Sequence, residues 1–565
     1  MGIKLYARLA NWLLTLIELL LVLGAAGLMA QGARRFDGNT QAQFAALERV
    51  FGRLARKKRL SVAVCGLLPL VVRVALIPLL GIPFPTWHDE FSFLLASDTF
   101  AHGRLTNPTH PMWVHFESFH IFHHPTYMSM YAPGQGLVLA AGQVLGHPWI
   151  GQLVATAVLC GALCWAFQAW LPPQWALLGG LLAVLRIALL SYWMNTYFMG
   201  SLAAIGGALV LGAYPRVRRL VRWRDALFMA AGVVILANTR PYEGLVFCLP
   251  FAAGMAIWMV RGEKFRFRQR ALRVALPVLL TLAVAGAGMS YYFWRVTGSA
   301  LTMPYQVDRA QYAAAPYFVW QKAGPEPEYR HPVMRNFYVG WELHDYQATQ
   351  SLSGFLAHTA HKALVLWMFY LGPMLTIPLL MMGRVFRDRR MRFPLLVAAV
   401  FCAGLLVETW TGSHYAAPAT CLLYLLLLQC MRHLRRVQWR RRPVGAQMVR
   451  AIPLISVAMI VLRLTAVAAH ARIEPVWTRG NLERAEVVHK LTAMPGKQLV
   501  IVEYGPGHGS HIEWVFNHAD IDAAKIVWAR DMGRQDEELI QYFHDRTVWR
   551  VWADERPVRM EQVAP

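Results

Sequence analysis

Two adjacent carboxylates, Asp89 and Glu90, stand in the stretch Trp87-His88-Asp89-Glu90 immediately after an apolar run, residues 61–84. Neighbouring side chains on a helix or strand point in different directions, so one carboxylate can act while the other orients or binds. A carboxylate held beside a bilayer, in a reduced dielectric, has its pKa raised toward the range of a general base. A pair of solvated loop charges is the plain alternative, and what decides between them is the company found at the same depth.

Three further places supply that company. In Asn238-Thr-Arg-Pro-Tyr-Glu-Gly244, Pro241 suits the first position of a helix and leaves N–H groups free beside Arg240, a turn able to hold a lipid phosphate. The alternative is an Arg240–Glu243 pair that only pins two helix ends. In Thr411-Gly-Ser-His-Tyr-Ala-Ala-Pro418, His414 and Tyr415 can bind phosphate oxygens or belong to an aromatic belt, with Glu408 just inside. Arg186 lies five residues before the turn at Ser191, roughly 8 Å into hydrocarbon, where a charge needs a cavity, a partner or room to snorkel. Arg73, near mid-span, implies a polar interior. Tyr131, Tyr242, Glu243 and Tyr415 are assigned to substrate binding. His110, His115, Glu117, His120, His123 and His124 could be gathered around a metal, but no two form a ligand motif. No metal or other cofactor is therefore assigned, and a divalent metal stays open as an alternative.

These residues must be positioned by membrane-spanning elements. Over a chain of 565 residues, 56% hydrophobic and 16% charged with mean hydropathy +0.35, the composition is that of a protein whose solvent is lipid. Apolar runs long enough to cross about 30 Å of hydrocarbon occur near 8–30, 61–84, 148–170, 174–193, 197–214, 225–240, 242–260, 272–294, 363–383, 393–411, 415–431 and 450–470. About twelve transmembrane helices follow. The basic loops 31–60 (with Arg34, Arg35, Arg56, Lys57, Lys58 and Arg59), 214–224, 261–273, 384–392 and 432–450 (with Arg440, Arg441 and Arg442) all fall on one side. They hold more than half of the 56 Lys and Arg, which makes that side cytoplasmic. Parity then puts the loops 85–147 and 295–362, the turns near 191–196, 238–241 and 412–414 and the tail 471–565 outside. The net charge of +24 belongs to these loops and not to a nucleic-acid surface.

The first run is read as an uncleaved helix, because cleavage would leave the basic stretch 31–60 outside. The seven Cys fall in or at the ends of apolar runs and suggest no disulfide framework. Trp113, Phe116, Phe119 and Phe122 recur every three residues, as in an amphipathic helix lying in the headgroups. The tail reads as a three-stranded α/β unit, with strands at 499–504, 525–528 and 547–552, a helix at 537–543 and a glycine-rich loop, Gly505 to Ser510.

The acidic pair opening the first long external loop, the amphipathic loop after it, the crowded multi-span core and the external C-terminal domain together resemble the GT-C superfamily of integral-membrane glycosyltransferases. The likeness is greatest to family 39, the protein mannosyltransferase and aminoarabinose transferase branch, and covers residues 61 to about 430. It implies a sugar donor on a polyprenyl phosphate, Asp89 as catalytic base in an inverting transfer, and Glu90 placing the acceptor. The donor phosphate would be clamped by Arg240, His414 and Arg186. The turn Ser191 to Thr196 has Asn195 but no carboxylate, which departs from the metal-dependent members using two separated acids. Residues 1–60, an extra span and basic cytoplasmic loop, lie outside the pattern, and the tail 471–565 has no counterpart in it.

The expected protein is thus an α-helical polytopic membrane protein with a GT-C-like domain over 61–470 and a small C-terminal α/β soluble domain. It would act at a bacterial plasma (inner) membrane on an extracytoplasmic glycan, lipid or protein acceptor, with membrane lipids and no nucleic acid as partners. A transporter or lipid flippase, or a non-catalytic envelope assembly protein, is the alternative; mid-membrane charges between repeats would mark the transporter.

Overall fold

The structure, a computed structural model, describes residues 2–31, 38–439, 442–471 and 480–563. Arg34, Arg35, Arg440 and Arg441, counted among the basic loops, lie outside the described residues. Every one of the twelve apolar runs carries helix. Seven helices among the described residues are long and apolar enough to cross a membrane. An eighth is the pair Leu352–Tyr370 and Gly372–Arg387, bent by 101°. The remaining runs hold helices that are short, such as Trp223–Ala237 and Arg392–Leu406 with 15 residues each, or charged, such as Lys58–Ala75 with its Arg73. Fifteen residues rise only about 22 Å, less than the roughly 30 Å of a hydrocarbon core. The chain is a multi-pass membrane protein.

Burial divides the spans into central and peripheral. Gly200–Leu220 has 83% of its apolar window buried, whereas Phe267–Thr297 has 6% and presents Leu279 and Val284 outward. Such a face would be costly in water and is at home against lipid. The central helix can pack closely because Gly207 has no side chain: a Cβ there would stand 1.8 Å from the Pro418 carbonyl oxygen. That contact fixes the segment carrying His414 and Tyr415 against the centre of the bundle.

Two arginines inside the bundle, Arg73 and Arg186, are partnered. Arg73 donates to Asn195 Oδ1 (2.9 Å) and the Gly81 carbonyl (2.8 Å) and lies over Trp149. Arg186 meets Glu18 of the N-terminal helix Gly2–Gln31 at 3.0 Å, and Glu18 also accepts from the Met374 amide. The polar interior expected from Arg73 and Arg186 is therefore a set of helix-to-helix ties.

The long loop 85–147 folds into the helix His88–Ala101, a 3-10 turn Trp113–Phe116, a small hairpin of β1 (Ile121–Phe122) and β2 (Met128–Ser129), and the helix Pro133–Val144. The interfacial amphipathic helix expected over Trp113 to Phe122 is not formed. Phe116, Phe119 and Phe122 are buried, and Phe119 packs on Phe337 from the loop 295–362 (4.8 Å). Protein, not lipid headgroups, covers their rings.

The tail forms the helix Leu482–Ala493 and a four-stranded sheet of β3 (Lys497–Glu503), β4 (Ile526–Arg530), β5 (Arg546–Trp552) and β6 (Arg559–Gln562) in the order β4-β3-β5-β6. The strands β4, β3 and β5 are parallel, and β6 is antiparallel to β5. The expected three strands are there, and the fourth is a polar edge strand. The sheet sits directly on the loop 85–147. The Glu513 amide donates to the Thr86 carbonyl (3.2 Å), the Ala519 amide to Asp98 (2.8 Å) and the Tyr127 hydroxyl to the Asn517 carbonyl (3.0 Å). A fully buried pair, Arg530–Glu513 at 2.7 Å, is joined by the Ser118 hydroxyl at 3.0 Å.

Candidate active site

Asp89 sits in the first turn of the helix His88–Ala101, and its neighbour Glu90 holds that turn in place. Glu90 accepts from the Thr86 (2.9 Å) and Trp87 (3.1 Å) amides through one oxygen and from the Tyr197 amide (3.1 Å) through the other. Glu90 thereby satisfies the amides of Trp87 at the helix start and Thr86 before it and ties that start to Tyr197. Glu90 is fully buried, and burial lifts its carboxyl to about 7 despite the three amides. Its observed work is to fix the turn.

Asp89 points the other way and keeps 22% of its side chain exposed. The Tyr131 hydroxyl donates to Oδ1, His120 Nδ1 lies 3.4 Å from the same oxygen, and His88 Nδ1 lies 3.2 Å from Oδ2. The two imidazoles approach each other at 3.1 Å, and Tyr131 also reaches His120 at 3.0 Å. Burial pushes the Asp89 carboxyl up, but His88, His120 and Tyr131 outweigh it and hold the group well below the usual carboxylate range. The raised pKa expected for Asp89 is therefore reversed, because donors surround the carboxylate. His120 feels burial downward and Asp89, Asp308 and Glu342 upward, and ends above its ordinary value.

His120 is presented by a backbone that few side chains adopt. Its φ is 61°, a left-handed conformation costing roughly 1–3 kcal/mol. The hairpin and the helix carrying Asp89 hold it there, since the His120 carbonyl accepts from Ser92 Oγ (2.6 Å) and the Met130 amide (3.0 Å). Asp308, from the helix Pro304–Tyr312, is fully buried, and neither of its carboxyl oxygens has a partner among the described residues. Burial lifts it to about 6, against the pull of His120.

Arg240 forms the second half of the site. Its guanidinium meets Glu243 at 3.0 Å, lies 4.0 Å over the Tyr415 ring, and keeps a buried Nε without a partner among the described residues. His414 stands beside it, hydrogen-bonded through Nδ1 to the Tyr192 hydroxyl (3.0 Å) and packed on Phe198. Tyr131 packs on Phe93, Phe93 on Phe198 and Phe198 on His414, and Tyr131 and His414 each feel the charges of Asp89 and Arg240, so the two halves are neighbours. The arrangement combines an anion rich in proton acceptors with a cation backed by aromatic rings.

Of the residues singled out in the sequence, the structure gathers Asp89, Tyr131, Arg240, His414 and Tyr415 here, with Glu243 as the partner of Arg240. Tyr242 turns away, donating to the Gly404 carbonyl (3.1 Å) and packing on Phe318. Arg186 is committed to Glu18 and to the carbonyls of Phe369 and Met368. The histidine-rich set does not converge. His110 meets Asp522 (3.1 Å), His115 faces Asp536 (3.7 Å), His123 stacks on Tyr127, and Glu117 pairs with Arg330 and His331 (3.5 Å each). Only His120 of that set joins the cluster. His88, adjacent to Asp89 in sequence, has the signal of position alone.

His511 of the tail had no sequence signal at all: its Nδ1 lies 3.3 Å from His88 Nε2 and its ring sits between Trp87 and Trp341. The ligand atoms of His88, Asp89 and His120 lie within 4.8 Å of one another. Two imidazoles and a carboxylate are a donor set suited to a divalent first-row metal.

No family model and no curated protein matches the chain. Among solved structures it is similar to the Archaeoglobus fulgidus oligosaccharyltransferase in complex with zinc and sulfate, at 10% identity and TM-score 0.45 over 87% of this chain and 68% of that one. The archaeal oligosaccharyltransferase AglB from the same organism, with an inhibitory peptide and a dolichol-phosphate, aligns at 9% identity and TM-score 0.46 over 86% and 69%. ArnT from Cupriavidus metallidurans in the apo state aligns at 14% identity and TM-score 0.45 over 86% of this chain and 92% of its own.

Proposed function

We propose that the chain is a glycosyltransferase that moves one sugar from a polyprenyl-phosphate carrier to an extracytoplasmic acceptor, with inversion. The observation that carries this reading is the ionised, partly open Asp89 held by His88, His120 and Tyr131, with Arg240 and His414 in the neighbouring half of the site. A bond forms between the acceptor oxygen and the anomeric carbon as the bond from that carbon to the phosphate oxygen breaks. The acceptor proton goes to the cluster around Asp89, where the proton affinity belongs to the carboxylate and its imidazoles together. The electron pair leaves on the polyprenyl phosphate, already an anion of low basicity, so it needs a cation and not a general acid. Arg240 supplies that cation, with His414 and Tyr415 beside it. The loop charges support an extracytoplasmic site, and the tail covers it.

The direct test incubates purified protein in lipid with radiolabelled polyprenyl-phosphate sugars and membrane extract. Asp89→Asn should lower transfer by about 10²- to 10⁴-fold while melting like the wild type. Equal transfer by both proteins would remove Asp89 from the reaction. A second reading, favoured by the closeness of the three ligand atoms, has His88, Asp89 and His120 hold a divalent metal that positions the donor. Loss of transfer on chelation, restored by added metal, selects it over the first.

A further inference from the structure

At the opposite end of the helix Gly200–Leu220, about 30 Å from the site at 1.5 Å per residue, is a cavity of about 400 Å³. It is open to the surface and lined by Trp170, Trp258 and Phe393 and by the exposed Arg218, Arg219 and Arg390. Tyr214 stacks on Phe393 at 4.5 Å and closes the inner wall. The arginines are braced without being neutralised. Arg218 donates to the Tyr214 hydroxyl (3.0 Å) and Arg219 to the Ala169 carbonyl (3.2 Å), and among the described residues none of the three pairs with a carboxylate. The nearby Asp388 is turned to its own helix start, accepting from the Arg390 amide (2.9 Å) and from Gln429 (2.7 Å).

Three exposed arginines line one groove with no carboxylate between them, so an anion seated there would be favoured by all three. Each keeps most of its five donors, in a planar fork that matches phosphate oxygens. Surface arginines at helix ends are ordinary in a membrane protein. A cavity within the size range of a small-molecule site, walled by two indoles, is not explained by that rule. We propose that this cavity binds a phosphate-bearing anion, with the three arginines on the phosphate and the aromatic walls on the group attached to it. The headgroup of an anionic phospholipid and a soluble phosphate ester share this chemistry. The lipid fits better, because the cavity lies where apolar helices end and acyl chains can run down their outer faces. The inference does not depend on the sugar-transfer reading, since no residue is shared with that site.

The test uses the full chain purified in detergent, exchanged into nanodiscs of phosphatidylcholine with one part in five phosphatidylglycerol, and analysed by native mass spectrometry for retained lipid. Thermal melts with and without millimolar inorganic phosphate are run beside it. Wild type should retain phosphatidylglycerol about tenfold over its share, and the triple variant Arg218→Gln/Arg219→Gln/Arg390→Gln should lose that enrichment, with the triple Lys variant keeping part of it. Phosphate stabilising the wild type, but not the Gln variant, would assign the site to a soluble phosphate ester and still support the proposal. Equal lipid enrichment together with equal melts in phosphate for wild type and Gln variant would overturn it. Should the triple Gln variant fail to fold, Arg390→Gln alone is read by the same two measurements. Sugar transfer, measured in parallel, should stay at the wild-type level in the folded variants.

Discussion

Arg240 and Glu243 are two buried charges three residues apart, and each depends on the other for its tolerance in the site. Replacing Arg240 by Gln should cost about 3–5 kcal/mol, most of it from the carboxylate left buried and alone. The double variant Arg240→Gln/Glu243→Gln should recover most of the melting temperature but not the activity, which separates the structural role from phosphate clamping. Tyr131→Phe removes one hydrogen bond to the ionised Asp89 and should lower transfer roughly tenfold, with little change in the melt. Asp89 and Arg240 were legible in the sequence because a charge next to an apolar run is expensive and must have a reason. His120 and His511 were not, because one depends on a left-handed backbone and the other on the docking of a segment 423 residues from His88. The direction of the Asp89 shift was likewise illegible: burial alone raises a carboxylate, and the donors that reverse it come from elsewhere in the chain.

The helix carrying Asp89 is held at both ends, by Glu90 at its start and by Asp98 near its end. Burial raises the Asp98 carboxyl, but His518, the Ala519 amide and Gln143 pull it down further, so its folded pKa lies below the ordinary 3.8. A carboxyl with a depressed folded pKa lends stability that is present above the unfolded value and lost as pH falls through the folded one. Docking of the tail through Asp98 should therefore be constant near neutrality and loosen only below about pH 4. Asp98→Asn should loosen it at pH 7, seen as faster limited proteolysis of the tail. Gly207→Ala should destabilise by about 1–3 kcal/mol or more, since the added methyl meets the Pro418 carbonyl, and a thermal melt reads it. Element by element, the spans were legible from hydropathy alone. The aromatic spacing over 113–122 was misread because a period near three is shared by a lipid-facing helix and by a compact loop whose rings turn inward. The strand β6 escaped notice because, as a polar edge strand, it has no buried face to imprint on its sequence.

On the scale of the molecule, the lipid-facing helices, the crowded centre and the sheet resting on the loops make three layers, with the Asp89 site under the last. Read by the positive-inside rule, the basic loops predict that layer outside the cytoplasm. A cysteine introduced at the exposed Glu328 should react from outside intact cells with a membrane-impermeant maleimide, and one at the exposed Glu263 should not; the reverse pattern would invert the topology. The N-terminal helix is joined to this body by Glu18 and Arg186, so the span that the sequence set apart from the rest is structurally part of it.

The contact between His511 and His88 has a consequence in time. A ribosome delivers residue 88 long before residue 511, and the later one must fold as part of the tail before it reaches the earlier. During synthesis the half-built bundle has Asp89 but not its cover. The candidate site is therefore completed last, and a chain stalled before the tail would lack the contact that His511 makes with His88.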